Sequence, residues 1–203
     1  TGPDEYTTLV DNNAYTNLMV KEQLEYAVRV AREMRSDCPE RWAELRDATG
    51  ISEEEIAEWE RAAQHMYIHR QNGLIGQDDS FLNKPVWDFA NTPKDRYPLM
   101  MHYHALHINR HQVLKQADLV LAMYTLGHRF ASWEKQRNFR YYEPLTTHDS
   151  SLSACIYGIV GAELGDLDKA CAYFAQTARV DLDDIHGNTK DGIHTASMAG
   201  SWL

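Results

Sequence analysis

Two adjacent carboxylates, Asp4 and Glu5, are the first residues of the chain that could do chemistry, in the opening letters TGPDEY. They follow a Gly-Pro pair and therefore lie on a turn, outside any helix interior. A carboxylate that caps a helix stands directly before the apolar periodicity, and Asp11 or Asn12 already occupies that place. The acidic pair therefore needs an explanation other than helix capping.

A second polar group lies in the segment YYEPLTTHDSSLS, where Pro144 ends one predicted helix and Asp149, Ser150 and Ser151 open the next. The start of a helix exposes unpaired backbone N–H groups and the positive end of the dipole, and hydroxyl groups add further donors. The pattern predicts a site for a small anion. The alternative is that Asp149 or Ser150 simply caps the helix, and the two interpretations are compatible.

The third polar group precedes the last predicted helix, in the letters HGNTKDGIHTASMAG. A histidine at this position, His194, could donate a hydrogen bond to an anion and change its charge near neutral pH. The alternative is a histidine that packs against a neighbouring turn.

A lysine, Lys115, lies beside Gln116 in a stretch whose other residues are mostly apolar. A buried lysine needs a partner, because an unpaired charge is costly to remove from water. The partner is either a carboxylate such as Asp118 or, in a functional interpretation, a sugar hydroxyl or an anion.

Four histidines occur close together in HYHALHINRH, and the pair His107 and His111 has the i, i+4 spacing that can hold a metal. No HExxH pattern and no nearby cysteine accompanies them. We therefore expect histidines on a polar helix face and no metal.

Helices are the elements that must position these groups. Apolar residues recur at helical spacing, and capping residues and glycines mark the ends, over residues 17–34, about 40–49, 53–69, 106–126, 132–142, 151–164, 167–180 and 191–203. No segment has a convincing strand pattern, so the predicted fold is all-α and built from successive helical hairpins. Residues 72–98 contain three of the six prolines yet many large apolar side chains. They predict an ordered loop that could form a wall of a site.

Composition restricts the possible partners. A chain of 203 residues is long enough for one sizeable domain. The formal net charge of −10 makes a nucleic-acid partner improbable, since phosphate-backbone binding needs clustered Lys and Arg. No apolar run approaches the roughly 20 residues of a membrane helix, and no signal peptide opens the chain, so we expect a cytoplasmic protein.

Four ordered segments together carry a resemblance: GPDEY with VDNNAYTN, then KQADLVLAMY, then YYEPLTTHDSSLS, then NTKDGIHTASMAGSWL. In this order they closely resemble the disaccharide phosphorylases of glycoside hydrolase family 65, which include maltose, trehalose, kojibiose and nigerose phosphorylases. The resemblance extends over essentially all 203 residues. It implies that residues 1–203 are the later part of an (α/α)6-barrel catalytic domain, without the N-terminal β-sandwich and first barrel helices of the family.

The same resemblance implies a reaction. Phosphate attacks the anomeric carbon of an α-glucoside with inversion, which gives β-glucose 1-phosphate and a free sugar. Glu5, the glutamate of the GPDEY motif, is implied to be the general acid that protonates the leaving oxygen. No cofactor and no metal are implied, because inorganic phosphate is a co-substrate. The intact enzyme is implied to be a homodimer.

Binding residues are implied as well. Ser150, Ser151 and His194 match the residues that hold phosphate, which is the anion site expected from the helix start alone. Lys115 and Gln116 match the Lys-Gln pair that contacts the glucosyl unit.

The identity of the substrate and two rival functions stay open. The loop of residues 72–98 looks most like the maltose phosphorylase branch, with trehalose, kojibiose and nigerose as alternatives. A hydrolase of trehalose or kojibiose would need a second carboxylate as base, for which Glu143 and Asp149 are candidates. A noncatalytic helical scaffold that binds a partner through a concave surface is the rival from another class.

Overall fold

The computed structural model describes residues 2–116 and 118–203, which divide into two compact units. Residues 16–68 form one unit, and the remaining described residues form the other. None of the helices in the described part of the chain combines the length and the apolar character that a membrane crossing requires.

The unit of residues 16–68 contains helices whose ends follow local sequence signals: most of α1 (Ala14–Asp37) and all of α2 (Pro39–Thr49) and α3 (Glu53–His65). Gly50 ends α2 in the left-handed conformation with φ +76°. Ser52 caps α3 by accepting a hydrogen bond from the Glu55 N–H at 3.2 Å. A buried cluster that includes Trp42 and Ile56 forms its core. The three predicted helices of this unit are confirmed, although the third ends at His65 and not at His69 as predicted.

A short antiparallel strand pair, β1 (Arg70–Gln71) and β2 (Leu74–Ile75), follows in the other unit. Asn72 and Gly73 connect the strands with φ +53° and +76°, the left-handed turn that an Asn-Gly pair favours. The expectation of no strand is wrong at this place, because strands of two residues are too short to show an alternating pattern.

The segment between β2 and the next helix is ordered, as predicted. Phe81 is fully buried, and Trp87 joins a core cluster with Leu99 and Tyr6. Short 3₁₀ turns punctuate it at Phe81–Asn83, Lys94–Arg96 and Leu99–Met101. The apolar side chains of this loop therefore contribute to the core.

The single long helix predicted for residues 106–126 is wrong. The chain instead forms two separate helices, α4 (Ala105–Asn109) and α5 (Asp118–Thr125). Between them the Gln112 N–H donates to the Pro85 carbonyl at 2.8 Å, and the Leu114 N–H donates to the Leu145 carbonyl at 2.9 Å. The backbone at Gln112 and Leu114 therefore forms hydrogen bonds with neighbouring segments in place of helical ones. Ala117, part of the predicted apolar stripe, lies outside the described residues.

The remaining helices are α6 (Ser132–Tyr142), α7 (Ser153–Glu163), α8 (Leu167–Ala178) and α9 (Thr195–Trp202). The helices α7 and α8 pack against each other, and Gly165 joins them in a turn with φ +79°. Asp166 caps α8 by accepting from the Lys169 N–H at 3.3 Å. The all-α fold class and this helical hairpin are therefore confirmed.

Candidate active site

A polar cavity of about 500 Å³ lies among the loops that precede α5, α7 and α9. It is lined by Tyr97, Pro98, Lys115, His148, Asp149, Ser150, Ser151, Ile185, His186, Asn188 and His194. Four of the predicted site residues, Lys115, Ser150, Ser151 and His194, are among them. Tyr97 and Pro98 bring the end of the long loop into the wall, as expected. Residues far apart in sequence therefore meet in one concave site.

Glu5 is not among the residues that line this cavity, but it contacts one of them, Lys115. The Glu5 carboxylate accepts a hydrogen bond from Lys115 Nζ. The lysine side chain is only 15% exposed, whereas that of Glu5 is 52% exposed. The partner of Lys115 is thus Glu5 and not Asp118, so the predicted general acid stands beside the predicted sugar-binding residue.

Asp4 points the other way, into the interior, and is fully buried. One carboxylate oxygen accepts from the backbone N–H groups of Lys115 (2.9 Å) and Tyr6 (3.2 Å), and the other accepts from Thr7 Oγ1 (3.1 Å) and Gln77 Nε2 (2.9 Å). Burial raises the pKa of Asp4, and these four donors partly offset that rise. Asp4 therefore anchors the segment in the interior, whereas Glu5 contacts Lys115 of the cavity wall.

Asp118, the first residue of α5, completes this buried anchor. Its carboxylate accepts from the Asp4 N–H at 2.6 Å and from Asn13 Nδ2 at 3.1 Å. Burial, followed by the charge of Asp4, raises the pKa of Asp118 to about 7. The motif that carries Glu5 is thereby attached to the start of α5.

Gln116 connects the acidic segment to the loop before α7. Its side-chain amide donates to the Pro3 carbonyl, and its Oε1 accepts from Ser150 Oγ at 2.9 Å. The predicted sugar-binding and phosphate-binding residues are therefore in direct contact.

The loop that carries Ser150 and Ser151 precedes α7 and lies outside the helix. The helix begins at Ser153, two residues later than predicted, and Leu152 precedes it without a side-chain cap. Ser150 closes a turn instead, because its Oγ accepts from the Leu152 N–H at 3.3 Å and its carbonyl accepts from the Ser153 N–H at 3.1 Å. Capping of α7 by Asp149 or Ser150 is therefore wrong, since the helix starts beyond both residues.

Asp149 joins this loop to the acidic segment. Its Oδ2 accepts from the Tyr6 hydroxyl at 2.5 Å and from the Leu99 N–H at 3.3 Å. Burial, followed by the hydrogen bond to Asp149, raises the pKa of Tyr6, so this tyrosine remains a donor. The residue next to Glu5 is thus tied to the residue next to Ser150.

His194 precedes α9 and is held by Asp181, which follows α8. The Asp181 carboxylate accepts a hydrogen bond from the His194 backbone N–H at 2.8 Å and a second one from the ring nitrogen Nδ1 at 2.6 Å. These hydrogen bonds lower the pKa of Asp181. Sequence reasoning missed Asp181, because the contact spans an irregular segment in which no periodicity pairs the two residues.

His148 is a second residue that sequence reasoning missed, although it adjoins the predicted Asp-Ser-Ser segment. It has φ +57°, its Nδ1 lies 2.9 Å from Ser153 Oγ, and its Nε2 lies 3.1 Å from the Tyr173 hydroxyl. Burial lowers the pKa of His148 to about 4, so the ring is neutral at physiological pH. A non-glycine residue with positive φ beside a cavity is the kind of backbone strain that functional sites retain.

The four histidines between residues 102 and 111 do not line this cavity. The rings of His107 and His111 pack against Trp87, with ring centroids 5.2 and 5.3 Å away. Over the described residues, no group of three or more histidine, cysteine, aspartate or glutamate side chains could hold a metal ion.

The arrangement can bind an oxyanion and deliver a proton. Hydroxyls and a histidine stand on one side of the site, and a carboxylate paired with a lysine stands on the other. Such a combination suits attack by a bound anion together with protonation of a leaving group.

Comparisons with known proteins indicate the family of the chain. The model of a family described as "Glycosyl hydrolase family 65 central catalytic domain" matches residues 1–203. The chain is 51% identical over 205 residues to the alpha,alpha-trehalose phosphorylase of Geobacillus stearothermophilus, covering 100% of this chain and 27% of that protein. It is 37% identical over 205 residues to the maltose phosphorylase of Bacillus subtilis, covering 100% of this chain and 26% of that protein. It therefore spans about a quarter of the length of these curated relatives.

A solved structure gives the same result for the fold. That human-microbiome protein, proposed to be a kojibiose phosphorylase, superimposes with a TM-score of 0.89 at 31% identity over 100% of this chain and 28% of that chain. This likeness fits the all-α part of an (α/α)6 barrel expected from the sequence.

Proposed function

The chain belongs to glycosyl hydrolase family 65, and we propose that its protein cleaves an α-glucosyl disaccharide with inorganic phosphate and inversion of configuration. The products are β-glucose 1-phosphate and a free sugar. The observation that carries this proposal is the single cavity that brings together Lys115, Ser150, Ser151 and His194, with Glu5 paired to Lys115.

Glu5 is the proposed general acid. A glycosidic oxygen leaves poorly until it receives a proton, and a carboxylic acid beside Lys115 of the cavity wall can supply one. A phosphate oxygen forms the new bond to the anomeric carbon as the bond to the leaving oxygen breaks, and that oxygen takes the proton of Glu5. Lys115 and Gln116 are the proposed contacts to the glucosyl unit.

Phosphate is the proposed nucleophile, held by Ser150, Ser151 and His194. A hydrolase would instead need a carboxylate free to activate water. The two candidates for that base are both engaged: Glu143 accepts from the Tyr173 hydroxyl at 2.9 Å and pairs with Lys169 at 2.7 Å. Asp149 accepts from Tyr6 and Leu99. These partners support phosphorolysis over hydrolysis.

Trehalose is the substrate that we propose first, ahead of maltose. The greater identity to a trehalose phosphorylase supports this choice over the maltose preference drawn from the loop of residues 72–98. Kojibiose and nigerose are the further candidates. The homodimer and the cytoplasmic location stay predictions.

The test is an assay of the protein at its full natural length. Trehalose, maltose, kojibiose and nigerose are each incubated with and without phosphate, and β-glucose 1-phosphate and glucose are measured. We expect phosphate-dependent β-glucose 1-phosphate from trehalose. Equal release of glucose without phosphate would establish hydrolysis instead, and no turnover of any of the four sugars would favour the noncatalytic scaffold.

A further inference from the structure

Asp181 contacts His194 at two points. Of the three residues assigned to the proposed phosphate site, His194 is the one that Asp181 contacts. One carboxylate oxygen accepts the His194 backbone N–H at 2.8 Å, and the other accepts from the ring nitrogen Nδ1 at 2.6 Å. The side chains are 14% and 18% exposed, so water competes little for these hydrogen bonds. Two fixed points on one residue determine both where the ring stands and how it is turned.

The chemistry of the ring follows from this contact. A carboxylate only accepts hydrogen bonds, so Nδ1 must carry a proton, and Nε2 is left for the cavity that His194 lines. A neutral ring with its proton on Nδ1 presents Nε2 as an acceptor, and a protonated oxygen of hydrogen phosphate can donate to it. The contact with Asp181 therefore determines which ring nitrogen remains for phosphate.

We infer that Asp181 is a positioning residue for phosphate: it holds the His194 backbone N–H and Nδ1, which leaves Nε2 for a hydrogen bond with phosphate. This inference rests on the proposed function. It adds a residue that neither the motifs nor the lining of the cavity identifies.

The other titratable groups around the site cannot replace this pair. His186 lies beside His194 with ring centroids 6.0 Å apart, and burial lowers its pKa. Across the cavity, burial lowers the pKa of His148 to about 4, and the charge of Lys115 is paired with Glu5. Asp149 adds a negative charge to the wall. His194, held by Asp181, is therefore the histidine that we assign to phosphate.

Asp181→Asn is the informative substitution, made in the protein at its full natural length. The amide keeps an oxygen for the His194 N–H, but its nitrogen cannot accept from Nδ1. We expect the KM for phosphate to rise roughly ten- to a hundredfold, as for loss of a charge-assisted hydrogen bond. The KM for the disaccharide should stay within about twofold. Asp181→Glu, which restores the charge, should recover part of the loss.

The matched control is Asp183→Asn, which makes the same substitution at an aspartate two residues after Asp181. Asp183 pairs with Arg179 at 2.6 Å on the surface and contacts no residue of the site. Its substitution should leave both KM values unchanged.

The split between the two KM values separates positioning from a merely structural role. A residue that only supports the fold would affect both KM values together with the thermal midpoint, whereas a positioning residue for phosphate affects the KM for phosphate alone. A rise in both KM values, accompanied by a lower thermal midpoint and by no recovery in Asp181→Glu, would overturn the inference.

The two proposals fail in different ways. Phosphate-dependent turnover by the wild type with an unchanged phosphate KM in Asp181→Asn would overturn the role of Asp181 alone. Absence of phosphate-dependent turnover in the wild type would overturn the proposed function and this inference with it.

Discussion

The acid side of the site (Asp4, Glu5 and Lys115) and its anion side (Ser150, Ser151 and His194) differ in what holds them. The acid side is attached to the core through Asp4, a fully buried carboxylate with four hydrogen-bond donors. The anion side lies on loops ahead of α7 and α9, where Gln116 contacts Ser150, and Asp181 contacts His194 of its own loop.

This difference reflects what each side must do. A proton donor acts on one atom of the substrate, so it needs to be held rigidly in place. A site for a diffusible anion must instead admit and release that anion. Substitutions behind the acid side should therefore affect stability as well as turnover. Substitutions on the anion side should act mainly on the KM for phosphate.

The largest effect is expected for Glu5→Gln. Loss of the general acid should lower kcat for the disaccharide by roughly 10²- to 10⁴-fold. Turnover of α-glucosyl fluoride with phosphate should persist, because fluoride leaves without a proton. Both rates are measured beside those of Glu44→Gln, an exposed residue of α2. If the two substrates lose activity equally, Glu5 is not the acid.

A smaller effect should separate the two serines. Ser150→Ala removes the hydrogen bond to Gln116 and should raise the KM for both phosphate and disaccharide, each by roughly tenfold. Ser151→Ala should raise the KM for phosphate only. Steady-state kinetics with each substrate varied in turn gives both values, and Ser36→Ala, on the surface of α1, is the control. Identical profiles for the two serine variants would contradict the bridging role of Gln116.

A second link between the two sides, besides the contact of Gln116 with Ser150, is the hydrogen bond from Tyr6 to Asp149. Tyr6→Phe should lower kcat/KM by up to about tenfold, since the Leu99 N–H still holds Asp149. Tyr141→Phe, which removes a hydroxyl bonded to Gln112 away from the cavity, is the matched control. A loss in Tyr6→Phe no greater than in this control would mean that this hydrogen bond does not couple the two sides.

The smallest effect on the reaction is expected at Asp118, and it concerns stability. The pKa of Asp118 rises from 3.8 to about 7 on folding. Asp118 therefore stabilises the folded protein below pH 3.8, and that stability is lost as the pH rises to about 7. Asp118→Asn should remove this loss, so its thermal midpoint should gain on that of the wild type between about pH 4 and about pH 7. A constant difference over that range would show that Asp118 is not protonated in the folded state.

Local signals explain which parts of the fold were predictable. Ser52 and Gly50 mark helix ends through hydrogen bonds and backbone angles that involve only nearby residues. The segment around Gln112 and Leu114 has apolar residues at helical spacing as well, yet neighbouring segments supply its backbone partners. No local pattern reports such partners, because they come from distant parts of the chain.

The residue pattern predicts the helical hairpins, and it carries the family resemblance and the residue types suited to protonate a sugar and hold an anion. The packing of the chain establishes that Asp4 turns inward while Glu5 contacts Lys115, that Gln116 contacts Ser150, and that Asp181 holds His194. Each of these contacts joins residues that are well separated along the chain. Helix propensity and capping act over a few residues, whereas these contacts depend on how whole elements pack and which polar groups that packing buries.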